Sequence, residues 1–245
     1  MQITALWRHP LKAHGREALD EVTLIADASM PYDRTWAVAH KGAKAVAGEW
    51  ARCVNFTRAA AMPQLQAITA SLDETSELLT LRHPDRPDLT FHPDHGAEVF
   101  LDWVAPLCPP ERAQPDQIMR IGPRGYTDSD VPSISLMNVA SHLAVEQAAN
   151  ASLAQERWRG NVWFDGTEPW MEFDFVGKTL KLGEATVQVD ATIERCKSIM
   201  ANTKTGERDH DLLSVLRGFD HQNFGVCFSV ITGGKIRLGD KLELI

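Results

Sequence analysis

Cysteine is scarce in this chain of 245 residues: Cys53, Cys108, Cys196 and Cys227 are widely spaced, with no CxxC pair and no cysteine set beside a histidine at ligand spacing. That excludes zinc-ribbon and ferredoxin-type iron–sulfur sites, which need paired thiolates at short fixed intervals. Long apolar runs are also missing, and none approaches the roughly 18 to 20 residues of a membrane-spanning helix. The start, Met1-Gln-Ile-Thr-Ala-Leu-Trp-Arg8, has no basic stretch followed by an apolar one, so the expectation is an unexported, cytoplasmic protein with no membrane partner. In that reducing compartment the cysteines are expected as free thiols. Basic residues are outnumbered, 25 Lys and Arg against 33 Asp and Glu for a net charge of −8, which argues against a nucleic-acid partner because phosphate backbones need a broad face of clustered cations. Any anionic ligand must find a local basic pocket.

What is present is an ordinary globular balance, 44% hydrophobic and 24% charged residues, enough for one large domain or two small ones. The pattern reads as mainly β with a few helices, an α+β chain. The segment 2–11, with Pro10 unable to sit inside a central strand, is expected as a short strand ending in a turn, and further strands are expected over 22–25, 34–39, 64–68 and 78–82. The two prolines of 83–88 mark a hairpin loop. A short helix is expected over 97–104. The four prolines between 106 and 115 mark a junction, so the domains are expected as 1–115 and 116–245. Helical spacing returns over 138–149, capped by Asn138 or Ser141, and over 209–217. Further strands are expected over 161–164, 179–182, 186–189, 224–231 and 235–238, the last two joined as a hairpin through Thr232-Gly-Gly234.

Two places carry candidate chemistry. Cys196 follows Arg195, a cation that favours thiolate over thiol, and precedes a polar Gly-containing segment that suggests an open rim. A buried, inert thiol is the plainer reading of the same residue. Glu156-Arg-Trp-Arg-Gly-Asn161 places two arginines together at the expected start of a strand, a local cation cluster suited to an anion. Ser141, at the start of the 138–149 helix, and Arg157 join it as candidates for one pocket. His210, His221, Asp209 and Glu172 are candidate proton carriers.

The order Arg157-Trp-Arg-Gly-Asn161, Pro169-Trp-Met-Glu172, Leu180-Lys-Leu-Gly183, Arg195-Cys196 with Gly206 ten residues on, Phe224-Gly225 and Gly239-Asp240 resembles the MOSC family, named from the C-terminal domain of molybdenum cofactor sulfurase. His9-Pro-Leu-Lys12, the 22–25 strand and Tyr32-Asp-Arg-Thr-Trp36 resemble the β-barrel-like domain that precedes MOSC in the amidoxime-reducing branch. The resemblance implies a molybdopterin-type molybdenum cofactor with Cys196 as metal ligand and catalytic residue. It implies Lys12, Arg34, Arg159 and Asn161 as cofactor-binding residues, beside the candidates Ser141 and Arg157. It also implies reduction of a small N-hydroxylated or N-oxide substrate, with electrons from a separate ferredoxin- or cytochrome-like donor protein. A sulfur (persulfide) carrier or cofactor carrier without reductase activity is the alternative, and a degenerate domain that binds a partner is a third reading. The chain departs from the family pattern at Ala13, Gly160, Ile199-Met200 and Asn202-Thr203. Cys227 stands where relatives carry a tyrosine or aliphatic residue, and a disulfide or persulfide relay with Cys196 is left open.

Overall fold

The computed structural model describes residues 1–245 and contains fifteen strands and three α-helices. The strands are β1 (Gln2–Arg8), β2 (Glu17–Leu19), β3 (Glu21–Leu24), β4 (Trp36–His40), β5 (Thr69–Asp73), β6 (Leu78–His83), β7 (Arg86–Phe91), β8 (Pro115–Arg120), β9 (Ile134–Asn138), β10 (Val162–Asp165), β11 (Thr179–Leu182), β12 (Ala185–Glu194), β13 (Asn223–Thr232), β14 (Gly234–Arg237) and β15 (Leu242–Leu244). The helices are α1 (Ala97–Val104), α2 (Val139–Ala149) and α3 (Leu212–Arg217). The mainly-β α+β expectation holds.

Eight strands form one curled sheet in the order β15-β11-β12-β13-β9-β10-β1-β2. Its far end returns to its beginning: Leu242 N donates to Met1 O at 3.0 Å and Ile3 N to Asp240 O at 2.9 Å, which removes exposed strand edges. Alternating apolar residues of β12 (Ala185, Val187, Val189) and β13 (Val226, Phe228, Val230) fill its interior with Leu136, Val162 and Phe164. A second core, with Trp36, Leu79, Leu81, Phe91 and Phe100, lies under β5–β7 and α1. Although β1 and β2 come early in the chain, they pair within the large sheet, and β3 pairs with β14.

Three local expectations are corrected. Residues 64–68 are not a strand: Pro63–Ala67 is a 3-10 turn, whose first position suits the fixed φ of Pro63. The run Thr232-Gly-Gly234 does not close a hairpin, because β13 lies between β12 and β9 whereas β14 crosses to β3. The loop at 83–88 shrinks to a tight turn between β6 and β7, with Pro87 tolerated on the sheet-edge strand β7. The helix over 138–149 is capped by Asn138, whose side chain accepts from Ala140 N, and not by Ser141.

Candidate functional site

A pocket of about 360 Å³ opens where the early and late segments meet. Arg34 reaches it from the turn before β4, Arg159 and Asn161 from the turn before β10, and Arg195 from just beyond β12. Thr127, Asp128, Ser129 and Ser133 line it from the loop leading into β9, Ser135 from β9 itself, and Cys227 from β13. The wall is therefore three guanidinium groups facing hydroxyls, an amide and the carboxylates of Asp128 and Glu194, with cationic donors suited to a phosphate and a polar ring.

Each cation is held by the chain around it. Lys12 is buried, and its ammonium donates to Tyr126 O at 2.6 Å and to the pocket-lining Asp128 Oδ1 at 2.5 Å. Arg34 pairs through Nη1 with Asp33 and donates through Nη2 to Arg159 O at 3.1 Å. Asp33 is itself fixed from below by His9 N at 2.8 Å. Arg195 donates to Phe224 O and Trp158 O, both at 2.9 Å, and lies over the stacked rings of Trp158 and Phe224. Asn161 is bound by β1 and β9: its Nδ2 donates to Trp7 O at 3.1 Å and its Oδ1 accepts from Ser135 Oγ at 2.8 Å.

Two pocket arginines sit in left-handed backbone, Arg34 at φ +55° and Arg159 at φ +50°. A non-glycine residue there costs about 1 kcal/mol or more and persists where the surroundings over-determine it, which is common at binding sites. Gly125 supports the first: at φ +63° it lies so close that a Cβ would stand 2.5 Å from Asp33 O. Gly160 packs closely in the segment before β10: it is buried where a Cβ would meet Met137 Cγ at 2.3 Å.

The electrostatics match the donors. Burial, with Arg34 and Arg16 adding repulsion, lowers Arg159 to about 9, and burial lowers Arg195 to about 10. In both cases burial outweighs the attraction of nearby negative groups, Asp33 and Asp128 at Arg159 and Cys196 and Asp128 at Arg195. Arg159 Nη1 is buried with no hydrogen-bond partner, and Nη2 reaches only Gly15 O at 3.2 Å.

Cys196 is an exposed free thiol at the rim, immediately after the pocket-lining Arg195, with Sγ 3.2 Å from Ser198 Oγ. It caps a 3-10 turn, Lys197–Met200, that buries Ile199 below it. Cys227 is also a free thiol, inside the pocket wall and opposite Ala191, five residues before Cys196. Burial and then Asp190 push the Cys227 thiol up, which keeps it protonated.

Arg157 and Ser141 do not line the pocket. Arg159's left-handed turn sends the two arginines apart: Arg157 is buried and donates to Asp209 Oδ2 at 2.5 Å and Ile199 O at 3.4 Å, bracing the segment after Cys196. Ser141 is buried against Glu172, donating to its carboxylate at 2.8 Å and accepting from Trp170 N at 2.7 Å. Asn138 Nδ2 donates to the same carboxylate at 2.8 Å. Glu172 is therefore a structural knot between α2 and the 169–172 turn, and burial pushes its carboxyl up despite those bonds. Glu172→Ala should lower stability by about 3 kcal/mol by leaving buried donors unpaired, as read by urea unfolding at pH 7. His210 and Asp209 lie beyond the pocket lining, and His221 packs edge-on to Trp170. A separate trio, Glu77, His92 and Asp94, is an ion-pair network: Arg120 donates to both carboxylates at 2.6 Å.

Two histidines beneath the site are buried and neutral. Burial, with Arg159 and Arg34 adding to it, lowers His9 to about 3; burial lowers His14 to about 4 against the Lys12 carbonyl bond. Both folded values lie below the unfolded one near 6.5, so the unfolded chain takes up protons first as pH falls. Stability should then fall between pH about 6.5 and 4, each histidine adding a limiting slope of about 1.4 kcal/mol per unit. In His14→Gln that slope should lose about one proton, as measured by urea unfolding at pH 7, 6, 5 and 4.5.

Sequence reasoning missed Asp33, Asp128 and the hydroxyls of 127–135. The signal was the Ser- and Asp-rich run Tyr126-Thr-Asp-Ser-Asp-Val-Pro-Ser133, a polar loop delivered onto a buried strand.

Comparison with known proteins adds ancestry to this geometry. Residues 126–243 match the MOSC domain, and residues 1–100 match the MOSC N-terminal beta barrel domain. Molybdenum cofactor sulfurase of Drosophila grimshawi is 29% identical over 154 residues, 60% of this chain and 18% of that protein. The Drosophila mojavensis protein of the same name is 33% identical over 91 residues, 34% of this chain and 11% of that one. The chain thus spans less than a fifth of the length of these relatives. The crystal structure of the YUAD protein from Bacillus subtilis superposes at TM-score 0.50 with 12% identity, covering 100% of this chain and 96% of that one, a likeness of fold.

Proposed function

We propose that this chain, which belongs to the MOSC-domain family, holds a molybdopterin-type molybdenum cofactor in the arginine-lined pocket and reduces N-hydroxylated or N-oxide compounds. The observation that carries the reading is Arg159, a pocket-wall cation with a buried N–H left without a partner. Lys12, Arg34 and Arg159 would meet the cofactor's phosphate, while Asn161, Ser133 and Ser135 would border its polar rings. Cys196 would be the metal ligand and catalytic residue, since a soft thiolate suits molybdenum at a solvent-open rim. Arg157 and Ser141 support the site from behind it.

When bound, such a cofactor supplies a two-electron couple, so that cleavage of an N–OH bond takes up two electrons and two protons and releases the reduced nitrogen compound and water. The electrons would come from a separate ferredoxin- or cytochrome-like donor protein, because the chain's own cysteines are too dispersed to hold an iron–sulfur cluster. For the domain boundary we keep the expectation near residue 115, which the gap between the matched segments 1–100 and 126–243 supports.

The test is molybdenum and pterin analysis of protein purified from a cofactor-producing host, followed by turnover of an amidoxime with a chemical reductant. Stoichiometric metal with turnover supports the reading; absence of both removes it. Exposure of the Cys196 thiol favours one second reading, a sulfur (persulfide) carrier. Mass spectrometry showing one added sulfur on Cys196 without bound metal would select that reading.

A further inference from the structure

We infer that Asp128 is a built-in counter-anion of the pocket, holding the position on Lys12 that a ligand's phosphate requires and thereby setting the affinity of the site for anions. This rests on the reading of the pocket as a phosphate-binding site. Lys12 is 6% exposed, and its ammonium has two partners, the carbonyl of Tyr126 and the carboxylate of Asp128. A buried ammonium needs a compensating negative charge, and Asp128 supplies it here.

Asp33, behind the pocket wall, and the pocket-lining Asp128 are built differently, while Glu194, the other carboxylate of the lining, accepts from Gln222 Nε2 at 3.2 Å. Asp33 is 1% exposed and is fixed by Arg34 and by the backbone N–H of His9, so it is a permanent part of the floor. Asp128 has a side chain 77% exposed, rides on the polar loop before β9, and is held by Lys12 alone. Leaving costs it one ion pair, and water at the mouth rehydrates it. The groups packed around it oppose its ionisation, but Lys12, then Arg34 and Arg159, hold its carboxyl below the usual carboxylate range. Those are the same three cations that an incoming phosphate would use. An anion entering the pocket must therefore displace Asp128 from Lys12 or bind against its repulsion.

A positioning role predicts the opposite: if Asp128 served to aim Lys12, neutralising it would weaken the anion. The full chain, purified from a host that makes no pterin cofactor, is titrated with inorganic pyrophosphate by calorimetry at constant ionic strength, as wild type, Asp128→Asn and Arg159→Ala. Asparagine keeps an oxygen for Lys12 and removes only the charge. Asp128→Asn should bind pyrophosphate roughly tenfold more tightly, the scale of one unit charge removed near a surface site. Equal or weaker binding overturns the inference. If Arg159→Ala weakens pyrophosphate while Asp128→Asn leaves it unchanged, the pocket reading stands and the counter-anion falls; if neither variant differs from wild type, both fall.

Discussion

Cys196→Ala should lose molybdenum-dependent reduction to background while unfolding within about 0.5 kcal/mol of wild type. The two halves of that expectation have separate causes. The thiol is exposed, has one contact at 3.2 Å with Ser198 Oγ, and packs in none of the buried clusters, so its removal leaves no cavity. On the proposed reading function would depend on it because no other thiol is exposed: Cys227 lies within the wall with its proton held by burial, Cys53 is half-buried and Cys108 is buried. Cys196→Ser separates ligand strength from geometry, since a hydroxyl of similar size is a much harder donor. Molybdenum content, pterin content and amidoxime turnover are read on the same preparations. Full turnover in Cys196→Ala would remove the ligand assignment, and loss of turnover with a collapsed urea midpoint would mark the residue as structural instead.

Where the chain's own periodicity decides a structure, the sequence was sufficient. The helix over 97–104 buries an apolar face of Phe100, Trp103 and Val104, and the helix capped by Asn138 is found although its buried face is Ser141, His142 and Val145 while Leu143 is exposed. The Thr232-Gly-Gly234 hairpin failed because a glycine pair signals a turn without saying which strand comes next: β14 finds β3, more than two hundred residues earlier, instead of its neighbour. The site shows the same division. Arg34, Arg159 and Asn161, which the family resemblance implied, line one pocket although they are far apart in the chain, and Lys12 lies behind its lining, bonded to Asp128. Arg157, two residues from Arg159, looked equivalent. A single left-handed residue turned one arginine to the pocket and the other to Asp209, a reversal that residue type does not encode. Asp128 escaped notice for a related reason, because a carboxylate in an anion site runs against composition-based reasoning and is explained only by the buried ammonium it meets.

Arg159→Ala should cut cofactor occupancy by about tenfold to a hundredfold, the loss expected for charge-assisted hydrogen bonds to a phosphate, while leaving stability unchanged or slightly higher. Most arginine truncations at a buried position weaken a fold, yet here the folded state gains little from the charge. Burial and the nearby Arg34 and Arg16 disfavour the cation, one N–H has no partner, and the backbone is left-handed. The compensation is one hydrogen bond to Gly15 O and the weaker attraction of Asp33 and Asp128. Arg159→Gly sharpens the comparison, because glycine adopts φ +50° without steric penalty and should add about 1 kcal/mol over alanine at that position. A series in which stability rises from arginine to alanine to glycine while molybdenum and pterin content falls would identify Arg159 as a residue kept for its ligand at the expense of the fold. If occupancy stays complete in both variants, the phosphate is held elsewhere and Arg159 leaves the site.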